Sequence, residues 1–226
     1  MPVIALFLPL PIAIAITAVV HFANNILKFI LLAKESDFSI LVRFGLPAMI
    51  FAMLGAWVLE FLYTSSWAIS YTFLGIAFRM TMLKWVIGGV ILLFVFVESR
   101  PTLHLPSYAK KLWLGGMLSG FFGGLSGHQG AFRTLFLSHN KLPKEVFLAT
   151  GVTIAVVVDV SRLTLYAQHW ELVVRQWDMV VVASGSAFLG TLIGKHFLRK
   201  ITIEQINTVV TWMLGVVAVL MIIGLL

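Results

Sequence analysis

The sequence contains no cysteine, and only 11% of its 226 residues are charged. Without cysteine there is no disulfide, no thiolate metal site and no cysteine nucleophile. Ordinary soluble domains carry about 25% charged residues, so this low charge argues against a soluble fold. Polar linkers and low-complexity tracts are also missing, and the N-terminus lacks the charged stretch of a standard signal peptide. We therefore predict a single domain over residues 1–226.

Apolar sequence fills the chain instead. Hydrophobic residues make up 60% of it, and the mean hydropathy is +1.02. Runs of about 20 apolar residues, long enough to span a bilayer, recur along the whole length. We predict an all-α integral membrane protein with six spanning helices, at about 10–33, 40–63, 81–98, 146–168, 177–198 and 205–226. The aromatic stretch 64–80 is predicted to be an interfacial loop, because such rings favour the headgroup zone.

Glycine interrupts the apolar pattern between residues 111 and 139. Seven glycines lie within residues 115–130, and each costs a continuous helix about 1 kcal/mol relative to alanine. Gly116, Gly120 and Gly124 have the spacing of a face on which two helices approach closely. Residues 127–130 do not follow that spacing, and they predict a break. Irregular backbone at membrane depth survives only where protein buries it or where it lines a water-filled cavity.

The basic residues predict how this segment lies in the membrane. The net charge of +7 comes mostly from residues at segment ends, which is typical of membrane topology and not of nucleic-acid binding. If the segment crosses the membrane, the two sides carry nearly equal numbers of basic residues. If it enters and leaves on one side, ten basic residues share that side and three share the other. The positive-inside rule favours this re-entrant arrangement. The ten residues then face the cytoplasm: Lys34, Arg43, Arg100, Lys110, Lys111, Lys141, Lys144, Lys195, Arg199 and Lys200.

The two halves of the chain align weakly with each other. Asn25 matches Asp159 and Lys28 matches Arg162 at the same offset of 134 residues, while Gly55 matches Gly194. In the re-entrant topology the matched helices run in opposite directions. We therefore predict an inverted three-helix repeat, about 1–100 and 111–226, of the kind common in secondary transporters.

Three basic residues lie within the apolar segments: Lys28, Arg133 and Arg162. A charge at bilayer depth costs about 2.5 kcal/mol or more, so we interpret these residues as holding a small anion. The half-helix that follows Gly127 and Gly130 would add backbone N–H groups with partial positive charge. For Arg133 a second interpretation stays open, in which its side chain snorkels to the surface.

Polar residues near these charges have two interpretations each. Asp159 lies three residues before Arg162 on the same helix face, either as a neutralised structural pair or as a carboxylate with which a substrate anion competes. Asn24, Asn25 and Gln129 would either orient the anion or bond to neighbouring helices.

Three titratable residues are candidate proton carriers. His128, His21 or Asp159 could couple transport to protons, although a membrane histidine can equally be a hydrogen-bonding core residue. No close cluster of His, Asp and Glu indicates a metal, and we expect no cofactor. No Ser-His-Asp arrangement, phosphate loop or carboxylate pair indicates an enzyme.

Three passages resemble the sulfite exporter TauE/SafE family. They are residues 9–28, which begin PLPIA and end VHFANNILK, residues 43–57, with RFGLPA and LGAW, and the glycine-rich residues 119–127, SGFFGGLSG. The resemblance covers nearly the whole chain. It implies transport of small sulfur-containing or organic anions across a bacterial inner membrane, driven by a proton or ion gradient.

The chain departs from that family at two places. Family members usually open with a glycine-rich segment in the first repeat, and this chain starts after that point, so we expect an incomplete first repeat. The family signature also has more glycine where His128 and Gln129 stand, which leaves the substrate open.

The sequence thus predicts a secondary transporter in the lipid bilayer, with a small anion such as sulfite or an organosulfonate as substrate and no nucleic-acid partner. A passive anion channel and a non-transporting assembly partner or truncated homologue stay open as alternatives. A homo-oligomer is compatible with each of them. A transporter saturates and shows counterflow, whereas a channel gives large unitary currents.

Overall fold

A computed structural model describes residues 4, 8, 10–99, 111–140, 142–167, 170–197 and 203–225. The described chain is mostly helical. The helices are α1 (Leu10–Leu32), α2 (Leu46–Thr64), α3 (Met82–Glu98), α4 (Leu112–Ser126), α5 (Gly130–Ser138), α6 (Lys144–Tyr166), α7 (Trp170–Arg175), α8 (Trp177–Phe197) and α9 (Ile203–Ile222). Each of the six helices expected from the apolar runs is present, with ends that differ by a few residues.

Within the described chain, three stretches are long and apolar enough to cross a membrane by length and composition: Ile12–Glu35, Phe38–Thr64 and Lys144–Tyr166. Shorter apolar helices lie in α3, α4, α8 and α9. Large apolar side chains also cover the outer surface; Ile30, Leu31 and Trp212 are each more than 70% exposed. Such a surface suits lipid and would be unfavourable in water. The number of crossings stays a prediction.

The entry to α2 is irregular because of a proline. The side chain of Asp37 caps the short helix Phe38–Ile40 by accepting a hydrogen bond from the backbone N–H of Ile40, 3.0 Å away. A π-helical turn, Leu41–Gly45, then leads into α2. Pro47 has no N–H to give the carbonyl four residues earlier, so the regular helical ladder cannot continue through this point.

The glycine face of α4 packs on α2, as the spacing of its glycines predicted. A Cβ atom built on Gly116, Gly120 or Gly124 would overlap a backbone carbonyl oxygen of α2 or of the turn before it; the oxygens belong to Phe44, Ala48 and Ala52 respectively. Only hydrogen fits there, and contacts of this kind bring Cα–H groups onto carbonyl oxygens. Because the residue numbers of both partners increase together, α2 and α4 run parallel.

The glycine-rich segment is a helical hairpin. Gly127 ends α4 in the left-handed conformation, with φ of 79°, and its N–H bonds to the carbonyl of Gly123. After the predicted break, α5 turns back along α4: Gly115 faces Phe136, and Gly123 faces Gln129. The chain therefore returns toward the end of α4 from which it came.

Helices α1 and α6 pack against each other and run antiparallel. Asn25 bonds to Asp159, Ser36 to Thr153, and the N–H of Asp37 to Thr150. The residue numbers rise along one partner and fall along the other. α8 packs on the same α1, and α3 packs on α9.

The prediction of a loop at 64–80 was wrong. Strands β1 (Ala68–Phe73) and β2 (Ile76–Thr81) form an antiparallel hairpin in which Phe73 pairs with Ile76. Their aromatic and β-branched residues favour strands, and Leu74 and Gly75 both have positive φ, as the tight turn between such strands requires. The hairpin is held to the end of α9, since Tyr71 Oη donates to the carbonyl of Ile223 at 2.8 Å.

Half of the ten basic residues behind the predicted topology lie outside the described residues. They are Arg100, Lys110, Lys141, Arg199 and Lys200, and the side chain of Lys195 is outside as well. The assignment of the ten-charge side to the cytoplasm therefore stays a prediction.

The tight contact between α2 and α4 can be tested at Gly120. The variant Gly120→Ala is expected to lose about 1–3 kcal/mol of stability, because its Cβ would meet backbone atoms of Ala48, which cannot rotate away. The matched control is Gly89→Ala on α3, where a Cβ meets nothing within 4 Å, and helix propensity there predicts a gain of up to about 1 kcal/mol. Thermal unfolding of the detergent-purified variants measures both. Equal stability of the two variants would contradict the packing.

Candidate functional site

Three of the predicted site residues, Asn25, Gln129 and Arg162, contact one buried carboxylate, that of Asp159. Asp159 on α6 is fully buried. Its Oδ2 accepts a hydrogen bond from Asn25 Nδ2 at 2.8 Å, and its Oδ1 accepts one from Gln129 Nε2 at 3.2 Å. These contacts join α1, α6 and the tip of the α4–α5 hairpin at a single point.

Arg162 completes this point from the same face of α6. Its Nη2 lies 2.7 Å from Asp159 Oδ1, and the side chain is 1% exposed. On its other side, Nη1 donates to the carbonyl of Gly123, at 3.2 Å, in the last turn of α4. A cation beside the C-terminal carbonyls of a helix is favourable. The ion pair expected from the spacing of Asp159 and Arg162 is therefore present and wholly buried.

The guanidinium of Arg162 nevertheless has unused donors. A guanidinium carries five N–H groups, but Nε has no hydrogen-bond partner among the described residues. Nη2 has only its ion-pair contact with Asp159 and no further acceptor in the described chain. Gly127 leaves room for this group, because a Cβ there would lie 3.1 Å from Arg162 Nη1.

Arg133 and Lys28 extend the positive charge. Arg133 lies on the first turn of α5, where Asp159 attracts it, and its buried Nη1 has no partner in the described part of the chain. Lys28 on α1 is half-buried and close enough to Arg133 for the two charges to repel. Arg162 and Arg133 near one carboxylate leave one net positive charge, and Lys28, which lies close to Arg133, adds a second.

The remaining predicted residues have no hydrogen bond to Asp159 or Arg162 among the described contacts. Asn24 has a buried Oδ1 with no described partner. His21 is exposed and lies one helical turn before Asn25. His128 packs its ring on Phe94 and places Nδ1 3.1 Å from the carbonyl of Ser126. Because that carbonyl only accepts, Nδ1 carries the proton, and Nε2 is the nitrogen with a lone pair that could accept another. Gly130 begins α5, whose N-terminus no side chain caps.

Sequence reasoning missed three groups. Tyr166 donates its hydroxyl to the carbonyl of Gly124, the carbonyl of Gly123 receives Arg162, and Ser119 Oγ donates to the carbonyl of Gln129 at 2.9 Å. Tyr166 lies four residues after Arg162 on the same helix face, so its spacing was a usable signal. The backbone carbonyls and Ser119 offered none, because their role depends on where the hairpin turns.

An apolar cavity of about 250 Å³ lies beside the π-helical turn, away from this cluster. It is lined by Leu41, Val42, Gly45, Leu46, Met49, Thr153 and Val157, and no predicted site residue contributes to it. The cluster around Asp159 is therefore the part of the described chain that combines burial, charge and unpaired polar atoms.

A family model described as sulfite exporter TauE/SafE matches residues 1–221. No curated protein and no solved structure gives a match. Because the matched region is nearly the whole chain, this protein belongs to the sulfite exporter TauE/SafE family of membrane transporters.

Proposed function

We propose that this protein is a secondary transporter that carries a small anion, such as sulfite or an organosulfonate, across a bacterial inner membrane, coupled to a proton or ion gradient. The observation that carries the proposal is the buried Asp159–Arg162 pair, with Arg133 nearby and with unpaired donors on both arginines. Burying a charge within a membrane is unfavourable, so charged residues there mark sites that bind or move an ion.

The proposed membrane arrangement has six crossings and a re-entrant α4–α5 hairpin. Two observations support it. α4 has 15 residues, a length of about 22 Å, and it ends at Gly127, within the apolar sequence, before it could span a hydrocarbon core of about 30 Å. α5 then returns along it. The tip of such a hairpin, at residues 127–129, would lie within the membrane beside Asp159.

An inverted repeat would explain the position of the site. Asn25 and Asp159, which the alignment of the two halves equates, bond directly to each other across the antiparallel pair α1 and α6. Equivalent residues of two inverted repeats meet where the pseudo-two-fold axis passes. Transporters of this kind place their substrate between the repeats, near broken helices.

Substrate would bind by exchange with the resident carboxylate. Arg162 shares its charge between Asp159 and the carbonyl of Gly123. An incoming anion would take the Nε and Nη2 donors of Arg162 and the Nη1 donor of Arg133. Planar guanidinium groups suit the paired oxygens of sulfite, sulfonate and carboxylate groups.

Proton coupling would follow from the same exchange. An anion that displaces Asp159 from Arg162 leaves a buried carboxylate unpaired, and such a group takes up a proton. His128 is the second candidate, because its Nε2 is the unprotonated ring nitrogen. Movement of the anion would then be accompanied by a proton on Asp159 or His128.

The proposal is tested at Arg133. The variant Arg133→Met is expected to weaken anion binding about 10- to 100-fold, the loss of one or more hydrogen bonds to a charged group. Stability without ligand should be unchanged or higher, because Nη1 is buried and has no described partner. A thermal-shift titration with sulfite, sulfate, sulfonates and carboxylates reads both effects, since bound ligand raises stability by mass action.

The matched control is Arg175→Met, an exposed arginine on α7, which should leave the titration unchanged. If no anion stabilises the wild-type protein, or if Arg133→Met binds anions normally, the site assignment fails. Counterflow in proteoliposomes separates a transporter from a channel, because a passive pore shows none.

A further inference from the structure

The cluster contains a buried acceptor whose orientation is determined. Gln129 is 6% exposed, and its Nε2 donates to Asp159 Oδ1 at 3.2 Å. A carboxylate paired with Arg162 accepts hydrogen bonds but does not donate, so exchanging the amide O and N would place two acceptors together. The amide atom of Gln129 that does not face Asp159 is therefore its oxygen, Oε1. It is buried and has no partner among the described residues.

This acceptor belongs to the same small network as the free donors. Gln129 and Arg162 both contact Asp159 Oδ1. Their unpaired atoms, Oε1 on one and Nε on the other, therefore stand on side chains joined through a single oxygen. Both atoms lie within one side chain of the oxygen that Arg162 and Gln129 share, so a ligand bound to Arg162 beside Asp159 would lie near both.

The mixture of free groups constrains the ligand. A fully deprotonated sulfonate or a sulfite dianion has only acceptor oxygens, which suit Arg162 and Arg133 but leave Gln129 Oε1 unpaired. An unpaired buried acceptor costs about 1–3 kcal/mol. An oxyanion that keeps one O–H can donate that proton to Oε1 while its other oxygens accept from the guanidinium groups.

We propose that the site selects singly charged oxyanions that still carry one acidic O–H, so that hydrogen sulfite in its O–H form is bound in preference to the sulfite dianion or a sulfonate. This inference rests on the proposed anion site, with Asp159 ionised and still bonded to Gln129 and with the coupled proton on His128 or on the anion itself. It adds the protonation state of the substrate. Gln129 Oε1 accepts a hydrogen bond from the anion's O–H, and Arg162 and Arg133 bind its negative charge.

Two anions that share the same shape and the same single negative charge test the proposal. Methylphosphonate, held at a pH where it is a monoanion, has a P–OH group, whereas methanesulfonate has none. Thermal-shift titrations of the purified full chain are expected to give about 10- to 100-fold tighter binding of the methylphosphonate monoanion. In Gln129→Met the preference should vanish, through weaker binding of methylphosphonate alone.

A second measurement uses only the wild-type protein, in case Gln129→Met does not fold. Raising the pH until methylphosphonate becomes a dianion should remove its advantage over methanesulfonate, which does not titrate. Asp159, Arg162, Arg133, Lys28 and His128 act on both ligands, so the ratio of the two affinities reports the proton on the ligand.

The outcomes separate the two proposals. Equal binding of the two monoanions, or tighter binding of the methylphosphonate dianion, overturns the selection of a protonated anion and leaves the anion site standing. Stabilisation by neither ligand, nor by sulfite, overturns the anion site itself.

Discussion

Replacing Arg162 by glutamine is expected to reduce anion flux about 100-fold or more. The variant removes the buried charge that a substrate would meet, together with the donors at Nε and Nη2. It also leaves Asp159 without its ion-pair partner, and an uncompensated carboxylate repels an anion. Charged hydrogen bonds contribute about 1.5–3 kcal/mol each, so losing two accounts for a factor of this size. Uptake or efflux of labelled sulfite in proteoliposomes measures the effect.

The control for Arg162→Gln is Arg175→Gln, which changes an exposed arginine on α7 outside the cluster. Its flux should match that of the wild-type protein. Expression and monodispersity in detergent show whether Arg162→Gln folds, and Arg162→Lys, which keeps the charge but not the planar fork, should retain partial flux. Normal flux through a neutral variant at position 162 would remove Arg162 from the site.

Replacing Asp159 by alanine is expected to lower the free energy of unfolding by about 3–5 kcal/mol. The change leaves Arg162 as an unpaired buried cation, which is the costly way to break a buried pair. Asn25 and Gln129 lose their acceptor as well, so the link between α1, α6 and the hairpin tip is broken. Thermal or denaturant unfolding in detergent gives the loss.

A double variant shows whether that loss comes from charge. Asp159→Leu combined with Arg162→Leu removes both charges and is expected to be more stable than the Asp159→Ala single variant. Asp178→Ala, which removes an exposed carboxylate from the first turn of α8, should lose less than about 1 kcal/mol. A double variant less stable than the single one would mean that packing, and not charge pairing, holds the three elements together.

The helices were predictable because their signals are local. A run of apolar residues has a length that can be read directly, and the glycines at 116, 120 and 124 repeat at helical spacing. The break after Ser126, the last residue of α4, follows from the same pattern. Gly127, His128 and Gln129 depart from the helical glycine spacing, and Gly127 adopts positive φ.

The β hairpin at 68–81 was missed for a physical reason. Its aromatic residues suit both a membrane interface and a strand, and composition alone does not separate the two. The signal that decides is the pair Leu74 and Gly75, which adopt positive φ in the turn, between two runs rich in aromatic and β-branched residues.

In the candidate site, too, some contacts were predictable from the sequence and others were not. Asp159 and Arg162 were predictable as a pair because three residues along a helix bring side chains onto one face. The contact from Gln129 to Asp159 was not, because it depends on α5 folding back along α4. The roles of Tyr166 and of the Gly123 carbonyl depend on the same packing.

Hydrophobic length and helix propensity act along the chain, and they were enough to establish a membrane protein of apolar helices with a glycine break and a few charges inside its segments. The contacts within the site came from how those helices pack against each other. This packing brings Asn25 and Asp159, 134 residues apart, into one hydrogen bond, and it leaves Gln129 Oε1 and Arg162 Nε without a described partner. Small-residue faces can pack in several ways that look alike in sequence, so the contacts that build the site exist only once each helix has a fixed set of neighbours.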